Sequence, residues 1–313
     1  AWLGSPVVEE GPGFRIQDNG HERIVSMAGV ADMERVGADD VYAISGDLRT
    51  QPEAVFRKEV FVNGNAEFRS GARLQAVAVQ GALDIGPHSV VNRWADCDDA
   101  MAIGPATVIH SRATSRTSIH FCAGAQAKSL FAPRVTTDNY DGSAFDRQLV
   151  PAARALRLPL AKGALDGMQE LRQFQGLRLR PMGENTMLCE GDLHLSLPVE
   201  LRMKLIVQGS FSCPGTSVIG DDLKATGDIK VGGGSLVEGN LVAGGKLELG
   251  AGSQFEGVLH AGGNLLLEKG TRGSARKQAV AAYATGDLFV ETDVLVEGKL
   301  AAGGFVRAVR PWR

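Results

Sequence analysis

His88, His110 and His120 are the side chains best suited to proton transfer at neutral pH, since an imidazole can relieve a hydroxyl or amine nucleophile of its proton. His88 stands in Ile85-Gly86-Pro87-His88-Ser89, and Ile103-Gly104-Pro105-Ala106-Thr107 repeats that string 18 residues later. Aligned on the repeat, however, His88 meets Ala106, His120 meets Ala102 and His110 meets Asn92, so no column gathers catalytic groups. Surface histidines are the reading these positions favour. Asp96, Asp98 and Asp99 flank Cys97 in the densest carboxylate cluster, but no Gly-spaced calcium loop follows them, and a solvated corner is expected. Cys97, Cys122, Cys189 and Cys213 form no CxxC pair and read as free, mostly buried thiols. The strings beginning at Gly11 (GPGF) and Gly232 (GGGS) lack the Lys-Ser/Thr partner of a phosphate loop and read as corner glycines. No catalytic, cofactor-binding or metal-binding residue is assigned, and no cofactor is expected.

What, then, positions these residues? The 313-residue chain carries 40 glycines, close to twice the roughly 7% of an average protein, with only 6% aromatic residues. Glycine recurs among Val, Leu and Ile without a G-X-Y period, which excludes collagen and suggests tight corners between short strands. A net charge of −3 with scattered basic residues gives no electrostatic footprint for nucleic acid. No apolar run is long enough to span a bilayer. The first residue is Ala, so a preceding segment, either a signal peptide or a membrane anchor, is an expectation that leaves membrane proximity or export open.

An internal repeat organises the chain. VEGNLVAGGKLELGAGSQ from Val237 and FEGVLHAGGNLLLEKGTR from Phe255 share nine of 18 positions. The same spacing links Leu205, Leu223, Leu241 and Leu259, and likewise Phe211, Ile229, Leu247 and Leu265, and Cys213, Val231, Leu249 and Leu267. Beyond Gly270 the pattern resumes five residues late, which places an insertion within TRGSARKQAVAAY. A weaker copy runs from Val41: LDIGPHSVV and MAIGPATVI align at 18, whereas VFVNGNAEF and VAVQGALDI align at 17. Alternating apolar residues turn one set inward, and a coil that cannot bury its own face must stack on a neighbour. The expected fold is all-β, a β-solenoid of about 18 residues per coil in two segments. Its core ladder is Leu205, Leu223, Leu241, Leu247, Leu249, Leu259, Leu265 and Leu267, with His260 and Glu248 facing outward. Trp94, beside Arg93, marks an exposed contact. Domain boundaries follow: 1–40 an N-terminal extension or cap, 41–133 the first solenoid, 134–182 a partly helical or irregular connector, and 183–313 the second solenoid.

Two family resemblances attach to these strings. The aliphatic-Gly-x-x-small signal at Ile85, Ile103 and Leu249 is similar to that of left-handed hexapeptide-repeat acyltransferases, which implies a catalytic His and a trimeric cleft. The stretch TSVIGDDLKATGDIKVGGGSLVEGNLVAGGKLELGAGSQFEGVLHAGGNLLLEKG resembles the bactofilins, bacterial polymer-forming cytoskeletal proteins. Ile219-Gly220-Asp221, Gly227-Asp228-Ile229, Val237-Glu238-Gly239 and Ala243-Gly244-Gly245 carry that resemblance, which covers about a third of the chain. It implies a right-handed, three-sided β-helix assembling end to end without nucleotide, in the bacterial cytoplasm at the inner membrane. The second solenoid, the connector and the N-terminal extension depart from the family pattern.

The expected function is therefore structural: a scaffold that joins copies of itself, or other subunits, through a solenoid end. Phe305, Val306, Val309 and Trp312 are the expected assembly interface, because an uncapped terminal coil leaves ladder groups and apolar area exposed. The alternatives are an exported or pilus-associated solenoid module and the acyltransferase.

Overall fold

The computed structural model describes residues 7–11, 14–18, 23–28, 40–140, 142, 156–158, 178–183, 185–274 and 280–310. Among them every regular element is a strand. The chain divides into two compact units, Ala1–Val135 and Thr136–Arg313, which together wind about 12 turns of β-solenoid with about 18 residues per turn. Three short parallel strands per coil define three faces in each unit.

In the C-terminal unit the ladders follow the sequence columns. On the first face Met187, Leu205, Leu223, Leu241 and Leu259 pair in order at steps of 18. The second face stacks Leu193, Phe211, Ile229, Leu247 and Leu265. The third stacks Leu201, Ile219, Val237, Phe255 and Gly273. All eight core-ladder leucines are buried. Stacking one residue type on itself keeps packing uniform from coil to coil, and where it changes the neighbour compensates. Gly273 is such a place, since a Cβ there would run into the Phe255 ring.

The step becomes 23 from Leu259 to Ala282, from Leu265 to Leu288 and from Gly273 to Val296, and then returns to 18. Since Phe255 still pairs with Gly273 at 18, the five extra residues lie between Gly273 and Ala282. Residues 275–279 of that corner lie outside the described residues.

The N-terminal unit repeats the plan with Tyr42, Val60, Val77, Ala95, Ala113 and Leu130 on its first face. Its one early 17-residue step, Val60 to Val77, is absorbed by a bulge between Phe56 and Glu59. Tyr42, Phe56 and Phe68 meet edge to face at 5.1 and 5.9 Å and fill the first coils. Upstream, Val7–Gly11, Phe14–Asp18 and Arg23–Ala28 form an antiparallel meander whose last strand pairs in parallel with Val41–Ser45. The stretch RIVSMA thus forms a strand, and residues 29–39 of the expected cap lie outside the described residues.

Within 134–182, where helical or irregular structure was expected, Leu156–Leu158 pairs with Val199–Leu201 and Arg178–Pro181 pairs antiparallel with Thr186–Glu190. Open strand edges of the first coil accept any extended segment that reaches them, so tertiary pairing overrides local preference there. The intervening residues lie outside the described ones.

Corners decide where glycine must stand. Between the first and second faces Ser210 donates its N–H to Asp192 Oδ1 (2.6 Å), Asp228 to Ser210 Oγ (3.2 Å) and Lys246 to Asp228 Oδ1 (2.7 Å). Between the third and first faces Asn240 donates to Asp222 Oδ1 (3.1 Å) and Val258 to Asn240 Oδ1 (2.8 Å). Each side-chain acceptor satisfies an N–H of the coil above, and the residue before that N–H is glycine. At Gly239 and Gly257 the main chain of the coil below fills the space a Cβ would need, and at the first-to-second corner the acceptor itself fills it. Gly245 against Asp228 and Gly286 against Asn264 are two cases. Partial burial pushes the Asp222 carboxyl up, but the N–H and amide of Asn240 and the Lys204 ammonium outweigh it and hold the group below 3.8. Its contribution to stability is present above that value and is lost as pH falls through the depressed one.

Leu247→Asp should destabilise the C-terminal unit by about 3–5 kcal/mol, since it leaves a buried carboxylate unpaired. Gly245→Ala should cost about 1.5–3 kcal/mol by displacing the charged acceptor from the Lys246 N–H. Chemical denaturation checks both, and an unchanged midpoint for Leu247→Asp would reverse the inward face.

Candidate functional site

The third corner, between the second and third faces, holds the residues with catalytic resemblance. Here the chain turns through a residue of positive φ followed by a buried hydroxyl. His88 (φ 57°) precedes Ser89, Ala106 (56°) precedes Thr107 and Thr216 (61°) precedes Ser217. Ser217 Oγ accepts the Val199 N–H at 3.2 Å and donates to Pro214 O at 2.8 Å. Ser235 accepts from Ser217 at 3.1 Å and donates to Gly232 O at 2.7 Å. In the N-terminal unit Ser89 Oγ accepts the Ala72 N–H at 3.1 Å, and Thr107 donates to Gly86 O at 2.9 Å. The aliphatic-Gly-x-x-small signal is therefore fully used in building a corner. A Ser or Thr at the small position satisfies a buried N–H, although Ala125 stands there in the coil after Thr107, and the residue before it must tolerate the left-handed region, as His does better than most.

The three histidines are not brought together. His88 projects from this corner and is exposed, as is His110 on the strand Val108–Ser115. His120 is half-buried on the outward side of the second face, in register with Ala102 and, one rung further, Asp84. Along this face runs a groove of about 510 Å³, lined among others by Asp47, Glu67, Asp84, Ala102 and His120. Desolvation, and after it the neighbouring Glu67 carboxylate, raises the Asp84 pKa above 3.8. Asp84 and His120 share the groove, but two rungs separate them by about 9.6 Å. Direct proton transfer requires about 2.6–3.2 Å, so the pair forms no dyad.

The carboxylate cluster around Cys97 is consumed by the next coil. Asp96 takes two bonds from Arg112, at 3.4 and 2.8 Å, Asp98 pairs with Arg116 at 3.1 Å, and Asp99 accepts the Thr117 hydroxyl at 3.3 Å. Trp94 is half-buried with the Arg112 guanidinium over its ring at 5.9 Å. The GGGS string at Gly232–Ser235 forms a third corner, and Pro12 and Gly13 of GPGF lie outside the described residues. His260 faces outward and stacks on Tyr283 at 5.3 Å, and Lys230 pairs with Glu248 at 2.8 Å on the adjoining face.

Of the four free thiols, Cys97, Cys189 and Cys213 are buried and Cys122 is half-buried. Burial pushes the Cys97 and Cys213 thiols up to about 11.

Of the residues expected at an assembly interface, Phe305 is half-buried, its N–H held by Asp287 Oδ1 at 2.8 Å and its ring beneath Arg307 at 5.3 Å. Val306 is buried in the core ladder on Leu288, so it is not an exposed contact. It alternates inward with Ala308, which the period of two in this last strand requires. Val309 is half-buried and bonds Val290 O, and Trp312 lies outside the described residues. No helix among the described residues is long and apolar enough to cross a membrane. Comparisons of the chain with protein-family models, curated proteins and solved structures give no match in any of the three.

At pH 8 a thiol of pKa about 11 is roughly one part in a thousand thiolate. Cys97 and Cys213 should therefore resist thiol reagents in the native protein and react on unfolding, with native reactivity rising as pH climbs toward 11. Mass-spectrometric mapping of alkylation sites checks this, and rapid native labelling of either residue at pH 8 would contradict it.

Proposed function

We propose that this chain is a structural scaffold protein with a bactofilin-like β-helix that docks end to end into a larger assembly. The observation that carries the reading is how the repeated positions are used. Inward columns, corner acceptors and corner hydroxyls recur coil after coil, and each has a packing or hydrogen-bonding role. Outward columns instead change character at every rung, as in Lys224, Val242, His260 and Tyr283. What repeats is the means of extending a ladder, and a ladder's ends are its natural joining surfaces. On this reading the protein has no catalytic role, its partners are further copies or other subunits, and Phe305 and Val309 border the joining surface of the last coil.

Negative-stain electron microscopy and light scattering across a concentration range test the proposal. Filaments or end-to-end oligomers are expected, and Phe305→Arg should reduce them without changing the melting temperature of the monomer. Discrete trimers that transfer acyl groups and lose that activity in a His88, His110 or His120 variant would overturn the proposal in favour of the acyltransferase.

A further inference from the structure

The turn between the second and third faces is tied forward to the next coil throughout the C-terminal unit. Thr216, Gly234, Gly252 and Gly270 donate their N–H groups to Gly233 O, Ala251 O, Lys269 O and Thr292 O, at 3.0, 2.8, 2.8 and 3.3 Å. Beside them, Ser217 and Ser235 donate to the hydroxyls of Ser235 and Ser253, at 3.1 and 3.3 Å. Asp293 and Val294 hold the same two positions in the last turn, with no following coil in this unit among the described residues. Residues more than 150 positions earlier in the sequence replace it. Asp293 donates to Asp138 O at 2.6 Å, and Val294 donates to Thr137 Oγ1 at 3.0 Å. Thr137 returns its N–H to Val294 O at 3.1 Å and its hydroxyl to Glu291 O at 2.7 Å.

The replacement is a built one. Thr137 Oγ1 accepts from the coil and donates to a carbonyl, as the corner serines do. Asn139, at φ 64°, turns the chain back so that the Tyr140 N–H meets Thr137 O at 3.3 Å. The Tyr140 ring then lies against the Arg272 guanidinium at 5.4 Å, and Arg272 pairs with Asp293 at 2.7 Å. The segment is thus fastened by main chain and hydroxyl to the turn of the last coil and by its ring to Arg272 of the coil before.

We propose that Thr136–Tyr140 is a detachable surrogate coil, an autoinhibitory contact occupying the bonding positions that a further coil from a second copy of this chain would take. It holds this end of the solenoid out of assembly until it is released. The inference rests on the end-to-end reading and adds to it a reason why the last coil is closed in the isolated chain.

The test pairs the full-length wild type with Thr137→Val/Tyr140→Ala, using hydrogen exchange and analytical ultracentrifugation, with circular dichroism to confirm the fold. At concentrations where both proteins are monomeric, exchange at Asp293 and Val294 should rise at least tenfold in the variant, and its end-to-end association should set in at a lower concentration than that of the wild type. Tyr140→Ala alone, which keeps the main-chain and hydroxyl bonds, should move both readouts in the same direction by less. Unchanged exchange at Val294 would overturn the surrogate coil whatever the sedimentation shows. Variant and wild type that assemble at the same concentration, with Val294 exchanging faster in the variant, would overturn autoinhibition while leaving the scaffold reading intact. Fast exchange with no association in either protein would overturn both.

Discussion

Everything in this molecule depends on keeping equivalent residues in register between successive coils. Each coil satisfies its backbone by bonding to the coils on either side, and parallel stacking then places every side chain over its counterpart. A substitution is consequently felt along a column. Leu241 packs on Leu223 and Leu259, and Asp228 both donates its N–H to Ser210 Oγ of the coil before and supplies the acceptor for the Lys246 N–H of the next. Because the side-chain period is two, a slip by one residue would turn the leucine columns to solvent. The ladder therefore tolerates five added residues in a corner but not one within a strand, apart from bulged positions such as Phe56/Glu59.

The corners explain how a solenoid turn can carry the residue types of a catalytic site. A buried hydroxyl, a neighbouring His and a glycine together suggest nucleophile, base and anion pocket. In this chain they are an N–H acceptor, a residue tolerant of positive φ and a space taken by the main chain of the adjacent coil. Ser89 and His88 adjoin because the turn requires one of each kind, and Ala106-Thr107 fulfils the same requirement without an imidazole.

Much of the fold was legible because a repeat reports tertiary neighbours directly: residues 18 apart touch. The leucine columns, the shorter step near Val77 and the five-residue insertion all follow from alignment of the chain with itself. Contacts made once are not encoded that way. The strand at Leu156–Leu158, the antiparallel partner Arg178–Pro181 and the Thr137–Val294 clasp join segments with no internal counterpart, so no column announces them. Val306 faces inward because side chains alternate along the last strand. A terminal coil looks uncapped in the sequence when the segment fastened to it lies more than 150 residues earlier. Glycine at the corners was expected from backbone freedom, and a further cause, close approach of the adjacent coil's main chain and of its Asp and Asn acceptors, becomes visible only when two coils are superposed.

The register between coils is measured most directly by residue-specific nuclear Overhauser contacts on a selectively methyl-labelled sample. It predicts contacts of Leu241 with Leu223 and Leu259, and contacts of Leu259 and Leu265 with Ala282 and Leu288 across the insertion. Contacts that continue at a spacing of 18 beyond Leu259, or Leu241 and Leu259 that do not meet at all, would contradict it.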